Sequence, residues 1–266
     1  MRAVSWKAVL DGSCDASASR FVKPALEALC DALDYLEVPL RFFDGGIVSY
    51  AMDHTHTVHC RMEVQDAVFE RVEVDGQVDV CVDGEALQAV LKRVRARDGL
   101  RLGVAERNAL VVEPVKDGVR RPFYLFHREG FEEAWSERLD VPYNVRVKME
   151  PAALADAVRD ADALASLERL EVVSDGERVV VRSSGKRVKE IVEFEGEIVD
   201  GEGEEVAQEY SVDLLSPIVK VASSSVASKA EVRFGEALPL VAEVWLGAAG
   251  EVRVEVVVAP RIEGPE

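Results

Sequence analysis

One pattern of strands and helices runs through this chain twice, and that repetition limits the fold more than any single motif does. Leu87, Val90 and Lys92 superimpose on Leu215, Ile218 and Lys220 at an offset of 128 residues, close to half of the 266. Similarity at so long a period reads as a duplicated domain, because solenoid repeats recur every 20–50 residues or so. In the first half a short strand at Trp6–Leu10 precedes a helical stripe of Phe21, Val22, Ala25, Leu26, Leu29 and Leu33. The spacing predicts that helix over Ser19–Leu33, with Pro24 tolerated only in a first turn. Strands are expected at 36–43, 46–52 and 57–64, the first two joined by the hairpin signal Asp44-Gly45-Gly46. A strand at 78–82, a helix at 85–94 and strands at 100–105, 109–115 and 121–126 complete the half, with a turn at Lys116-Asp117-Gly118.

The second half restarts at Val145–Met149. Pro151 is placed to open a helix reaching about Ala165. Three alternating strands follow at 167–174, 178–183 and 188–194, then an acidic, Gly-rich stretch at 196–205 that reads as an exposed loop. A helix at 213–222 and three strands end the half, the last stopped by Pro260, which has no N–H for a sheet ladder. Between the halves, 127–143 lacks a clean period but carries Phe131, Trp135, Leu139 and Val141. Leaving such side chains in water has a cost, so the segment reads as a connector laid over the outer surface. The division is therefore 1–126, a connector 127–143, and 144–266.

Composition sets limits on partners. Fifty acids against thirty-two bases give a net charge of −18, which on an evenly charged surface would repel phosphate. A nucleic-acid partner requires the bases to be segregated on one face. No apolar run approaches a membrane span, and Met1–Lys7 shows no apolar signal region. The four cysteines, Cys14, Cys30, Cys60 and Cys81, form no C-x-x-C pair and read as reduced thiols of a cytosolic protein.

Chemistry-bearing motifs are scarce. No G-x-S-x-G, Walker loop or G-x-G-x-x-G occurs, and the Ser183-Ser184 and Ser223–Ser225 runs sit at turns, where serine is ordinary. On a strand, His54 and His56 would share one face while His59 points away. Zinc needs converging ligands, and no Cys, Asp or Glu supplies a recognisable remainder, so the polar end of a hairpin is the simpler reading. No metal or cofactor is expected. The basic residues carry more signal. Lys92, Arg93, Arg95 and Arg97 crowd the end of one helix, beyond what complementing its dipole needs. Lys23, Arg159 and Lys220 lie on the other three helices, and Lys186, Arg187 and Lys189 make a basic hairpin.

Four segments, read together, resemble the sliding clamps of the proliferating cell nuclear antigen (PCNA) family: Ala51–His56, Tyr210–Lys220, Phe234–Leu240 and Gly250–Glu263. They occur in the family's order and cover both halves. The resemblance implies an α+β DNA-clamp fold of two duplicated domains, with antiparallel sheets outside and helices lining the inner face. It implies a DNA polymerase sliding clamp, not an enzyme, that encircles double-stranded DNA without reading sequence. Lys23, Lys92, Arg93, Arg95, Arg97, Arg159, Lys186, Arg187, Lys189 and Lys220 would face the DNA. The implied partners are two further clamp subunits, a clamp loader, DNA polymerase, flap endonuclease and DNA ligase. Clients would use a peptide pocket at Met52, His56, Pro239, Val257, Val258, Ala259 and Pro260, walled by Leu139, Val141 and Tyr143. The protein would be cytoplasmic or nucleoid-associated, nuclear in a eukaryote. A clamp-fold scaffold or checkpoint subunit acting only in a hetero-oligomeric ring is the alternative reading. An acidic cytosolic enzyme of unrelated fold is the alternative from another class. Four helices lining one surface would favour the clamp readings; a deep closed pocket would favour the enzyme.

Overall fold

The computed structural model describes residues 6–13, 17–34, 36–128, 136, 139–163, 169–184, 189–194 and 196–261. The first half runs β1 (Trp6–Gly12), α1 (Ser17–Ala32), β2 (Glu37–Phe43), β3 (Gly46–Met52), β4 (Val58–Gln65), β5 (Arg71–Val74), β6 (Val78–Asp83), α2 (Gly84–Leu91), β7 (Gly99–Ala105), β8 (Ala109–Lys116), β9 (Val119–Arg120) and β10 (Phe123–Phe126). The second runs β11 (Val145–Met149), α3 (Pro151–Ala163), β12 (Arg169–Asp175), β13 (Val179–Ser184), β14 (Lys189–Phe194), β15 (Gly196–Asp200), β16 (Glu205–Ser211), α4 (Ser216–Ala222), β17 (Ala227–Phe234), β18 (Leu240–Leu246) and β19 (Val252–Val258). Apart from the two-residue β9, both halves read strand, helix, five strands, helix, three strands.

The pairing repeats as well. In the first half β10, β8, β7, β1 and β5 are neighbours in one path, and β6, β2, β3 and β4 in another. In the second, β19, β18, β17, β11 and β15 form the matching path, and β16, β12, β13 and β14 the other. The halves are fused where β4 pairs antiparallel with β19, Val58 opposite Val258 and Val64 opposite Val252. One nine-stranded sheet therefore runs from β6 to β15 through both halves. The strands equivalent to β4 and β19 are β14 and β10. Among the described residues each of those pairs with a single neighbour, β14 with β13 and β10 with β8.

Among the described residues the four α-helices share one side of the sheets. α2 packs on α1, α1 on α4, and α4 on α3, a single row drawn from both halves. Alternation explains the arrangement. Val58, Cys60, Met62 and Val64 of β4 face the core with Val22, Ala25, Leu26 and Leu29 of α1. The residues between them, His59, Arg61 and Glu63, face outward. On that outer face Glu231, Glu243, Glu255 and Arg61 stand in register across four adjacent strands, each under 7% exposed. Three neighbouring carboxylates would repel one another. Cations from the flanking rows intervene: Arg146 at 2.9 Å and Lys229 at 2.6 Å from Glu231, Arg233 at 2.8 Å from Glu255 and 3.4 Å from Glu243, and Arg253 against Glu243. Such a buried lattice tolerates one register, since slipping a strand would strand unpaired charge.

Several sequence expectations are corrected. The stretch expected to loop at 196–205 contains β15, an edge strand against β11, with Ile198 on the core and its acids in water; charge on an edge strand discourages further pairing. Strands β5 and β16 have no counterpart in the sequence reading. Helix α1 begins at Ser17, so Pro24 lies inside it and leaves the Arg20 carbonyl without its usual N–H. Helix α2 stops at Leu91 instead of Val94, so Lys92, Arg93, Arg95 and Arg97 follow the helix. Residues 53–57 form a loop between β3 and β4, which removes the strand premise for His54 and His56. The 213–222 helix is a single turn of 3-10 helix at Asp213–Leu215 followed by α4.

Candidate functional site

The proposed pocket is built on one cross-strand row of the outer face. Met52 of β3 is opposite His59 of β4, His59 is opposite Val257 of β19, and Val257 is opposite Val241 of β18. Residues almost two hundred positions apart are thereby placed side by side. At one end of this row lies the 53–57 loop. Asp53 holds it, its carboxylate accepting from the amides of Thr57 at 2.8 Å and Val58 at 2.6 Å. Burial works to raise the Asp53 pKa, but hydrogen bonds from Thr55 and from the amides of Val58, Thr55 and Thr57 outweigh it and hold the group below the usual carboxylate range. His56 sits exposed in this loop with φ +58°.

The chain's last described residues are stitched across the same end. The Ala259 amide donates to Thr57 O at 2.9 Å and the Arg261 amide to Glu209 O at 2.9 Å, leaving Pro260 half-buried between them. Gln208 ties this tail to the loop before β18, donating to Arg261 O at 3.1 Å and accepting from the Ala237 amide at 2.8 Å. Tyr210, fully buried, donates to Leu238 O at 2.9 Å. Since Leu240 pairs with Val258, Pro239 lies one step beyond that pair, beside Ala259. Val257 and Val258 are buried and Met52 is half-buried.

Described residues of the connector lie against several strands of the nine-stranded sheet. At one end the Arg128 amide donates to Cys81 O at 3.0 Å, and His127 Nδ1 accepts from the Cys81 amide at 3.1 Å. The Ser136 amide then takes Tyr50 O of β3 at 3.0 Å, and beyond the crossing Asn144 N donates to Phe234 O of β17 at 3.0 Å. Leu139 is exposed and Val141 half-buried on this crossing, whereas Tyr143 donates to Asp200 of β15 at 3.2 Å, at the sheet's far edge. The site is thus a strip along the sheet. Phe131 and Trp135 lie outside the described residues.

On the helix side the predicted bases meet different fates. Lys23 donates to Val94 O at 2.8 Å, and Lys220 pairs with Asp31 at 2.9 Å. Arg159 pairs with Asp156 at 2.7 Å and also reaches the Ser223 hydroxyl. Arg97 is exposed beyond α2. Lys92, Arg93 and Arg95 line a groove of about 390 Å³ beside β8 and β10, together with Lys116 and Arg121. Lys186 and Arg187 lie outside the described residues, and Lys189 opens β14. Sequence reasoning passed over Arg20, exposed on α1 three residues before Lys23 and so on the same helix face. It also passed over Lys116 and Arg121, whose proximity to Lys92 arises only on folding. The thiols of Cys30, Cys60 and Cys81 are free and buried, and burial pushes that of Cys30 up to about 12. Among the described residues no helix is long and apolar enough to cross a membrane.

Four helices in one row beneath sheets that join two repeated halves define a two-domain DNA-clamp fold. No family model matches the chain. In sequence it is similar to the DNA polymerase sliding clamp of Pyrococcus horikoshii, 29% identical over 231 residues, 85% of this chain and 90% of the relative. Its fold matches the crystal structure of the PCNA2–PCNA3 complex from Sulfolobus tokodaii with a TM-score of 0.80, at 19% identity, over 96% of this chain and all of that one. It also matches A. fulgidus PCNA bound to the C-terminal region of FEN-1, TM-score 0.77 at 20% identity, over 97% of this chain and all of that one. In sequence and in fold the chain thus resembles the DNA polymerase sliding clamps of the PCNA family.

Proposed function

We propose that this chain forms a ring of three subunits around duplex DNA and tethers polymerase, ligase and flap nuclease through the outer strip. The observation that carries the ring is the internal repeat. Strand β4 pairs with β19 inside the chain, and the equivalent strands β14 and β10 have open edges at the remote ends of the two halves. Antiparallel pairing of β10 with β14 of the next copy repeats the internal junction. Three copies contribute six domains and a continuous row of helices facing inward. The halves 1–126 and 144–266 with the connector 127–143 describe that repeat, although the nine-stranded sheet crosses between them.

The mechanism is topological, with no bond chemistry. A closed ring cannot leave the duplex sideways, so processivity needs no tight contact. Arg20, Lys23, Arg97, Arg159 and Lys220 offer phosphate contacts, joined by the bases Lys186, Arg187 and Lys189 expected from the sequence. Such contacts are salt-sensitive and carry no base information, which permits sliding. The surplus acid, displaced from this face, serves solubility. On the outer strip, Met52 and Val257 flank His59, and the Ala259–Pro260 rim and the Leu139–Val141 crossing bound an apolar seat for a short helical peptide. Polymerase extension on a primed circular template, with and without a clamp loader, tests the reading. Longer products that require both loader and this chain are expected; products of unchanged length would overturn it.

A further inference from the structure

The four-strand row beneath the proposed client seat is apolar except at one position. Met52 of β3, His59 of β4, Val257 of β19 and Val241 of β18 stand side by side in register, and only His59 among them carries a polar head. Alternation turns His59 to the outer face, because Val58 and Cys60 on either side of it face the core. It is 2% exposed, and Val257 and Val241 are buried with it. The next row on the same four strands is the opposite case, since Tyr50, Arg61, Glu255 and Glu243 are all polar. There Tyr50 and Arg61 both turn to Glu63, one row further from His59, the Tyr50 hydroxyl donating at 2.9 Å and Arg61 Nε at 3.0 Å. At the other end the Asp53 carboxylate is held by the amides of its own loop. The imidazole is thus the polar group set into the floor of an apolar seat.

Resting on the client-strip reading above, we infer that His59 is a specificity-determining residue of that strip: its imidazole meets the hydroxyl of a tyrosine in the aromatic plug of the client peptide, so tyrosine-bearing clients are preferred to phenylalanine-bearing ones. The chemistry of the seat selects the group. Met52 and Val257 flank the imidazole and offer apolar contact to a ring. The unbranched Met52 side chain rearranges at little cost to admit one. Met52 and Ala259 are half-buried and Leu139 is exposed, so the seat is reached from the outer face. A ring body with one polar tip matches apolar walls with one polar group on the floor. A neutral imidazole has one donor and one acceptor nitrogen, so it can keep a contact within the chain and still meet a hydroxyl. A phenol hydroxyl both donates and accepts, and so suits either tautomer; an indole N–H only donates and suits one. Phenylalanine seated here would shut the imidazole away from water without supplying a bond, which is penalised. A seat built to meet a hydroxyl rejects the analogue that lacks one.

The test is calorimetric titration, into the full chain, of peptides of the Gln-x-x-aliphatic-x-x-aromatic-aromatic kind that differ only in the plug: Phe-Phe, Tyr-Phe and Phe-Tyr. One of the tyrosine peptides should bind wild type roughly tenfold more tightly than Phe-Phe. His59→Leu, which suits the apolar row, should remove that difference by strengthening Phe-Phe relative to the tyrosine peptide. His59→Gln keeps a donor and an acceptor and should retain part of the preference. Circular dichroism of both variants should match wild type, and the wild-type comparison of the three peptides stands even if a variant does not fold. A wild type that binds all three peptides alike or favours Phe-Phe, or a tyrosine preference that survives His59→Leu unchanged, would overturn the role of His59 and leave the client strip standing. The strip fails separately: a wild type that binds none of the three overturns the strip and the role of His59 with it.

Discussion

Val257 stands directly opposite His59, and that pairing joins the chain's last strand to a strand from its first sixty-five residues. The proposed client strip and the fusion of the two halves thus share one piece of sheet. A disturbance of the β4–β19 ladder would damage both, while a change confined to side chains on the outer row would touch only the strip. The proposed ring closure would repeat this ladder between copies.

Ring closure should fail when the β14 edge cannot donate. Val192→Pro removes an amide from a strand that, among the described residues, pairs only with β13. Sedimentation should then give the mass of a single chain with native circular dichroism. Full ring mass for this variant would exclude β14 as the contact edge.

Peptide binding should depend on a few apolar anchors. Leu139→Ala or Met52→Ala is expected to weaken a peptide of the Gln-x-x-aliphatic-x-x-aromatic-aromatic kind by about 1–2 kcal/mol. Neither residue is on the helix row or on β10 or β14, so ring mass should be unchanged. Calorimetric titration of the peptide into the three proteins decides it; equal affinities would remove the strip from consideration.

DNA contact should track the exposed bases of the helix row. Replacing Arg20 and Arg159 by Glu should reduce polymerase stimulation to a similar extent on templates of different sequence, and flatten its salt dependence. Stimulation equal to wild type at moderate salt would mean that these bases are ordinary surface charge.

Acid should unfold the chain through its paired carboxylates. For Glu231, burial acts to raise the pKa, but Lys229 and Arg146 outweigh it and hold the group low; Asp53 is held low by its hydrogen bonds. A folded pKa below the unfolded one means stability that is complete above the ordinary carboxylate pKa of about 4 and lost as pH falls through the folded value. Thermal melts should therefore be nearly flat in this contribution from pH 7 to about 5 and fall steeply below about 4. Asp53→Asn should melt lower than wild type near neutrality, with the gap narrowing in acid. A constant gap across that range would show that the Asp53 charge does not contribute.

Local chemistry made much of this protein legible. Alternation placed β3 and β4, the spacing of Val22, Ala25, Leu26 and Leu29 placed α1, and the Leu87/Leu215 correspondence exposed the duplication. Those signals depend on near neighbours in the chain, which sequence shows directly. Strand β15 was hidden because its Gly and acids are what an exposed loop would also carry; only pairing with β11, some fifty residues away, decided it. Pro24 sits inside α1 because tertiary packing of the apolar face outweighs one missing hydrogen bond. The bases were countable in sequence, but their roles were not. Whether Lys92 faces a duplex or a neighbour, and whether Lys220 is exposed or held by Asp31, depends on where helices from opposite halves come to rest. Sequence determined the repeat, its elements and its family likeness; tertiary structure decided which edges stay open and which charges meet, because both follow from contacts between residues distant in the chain.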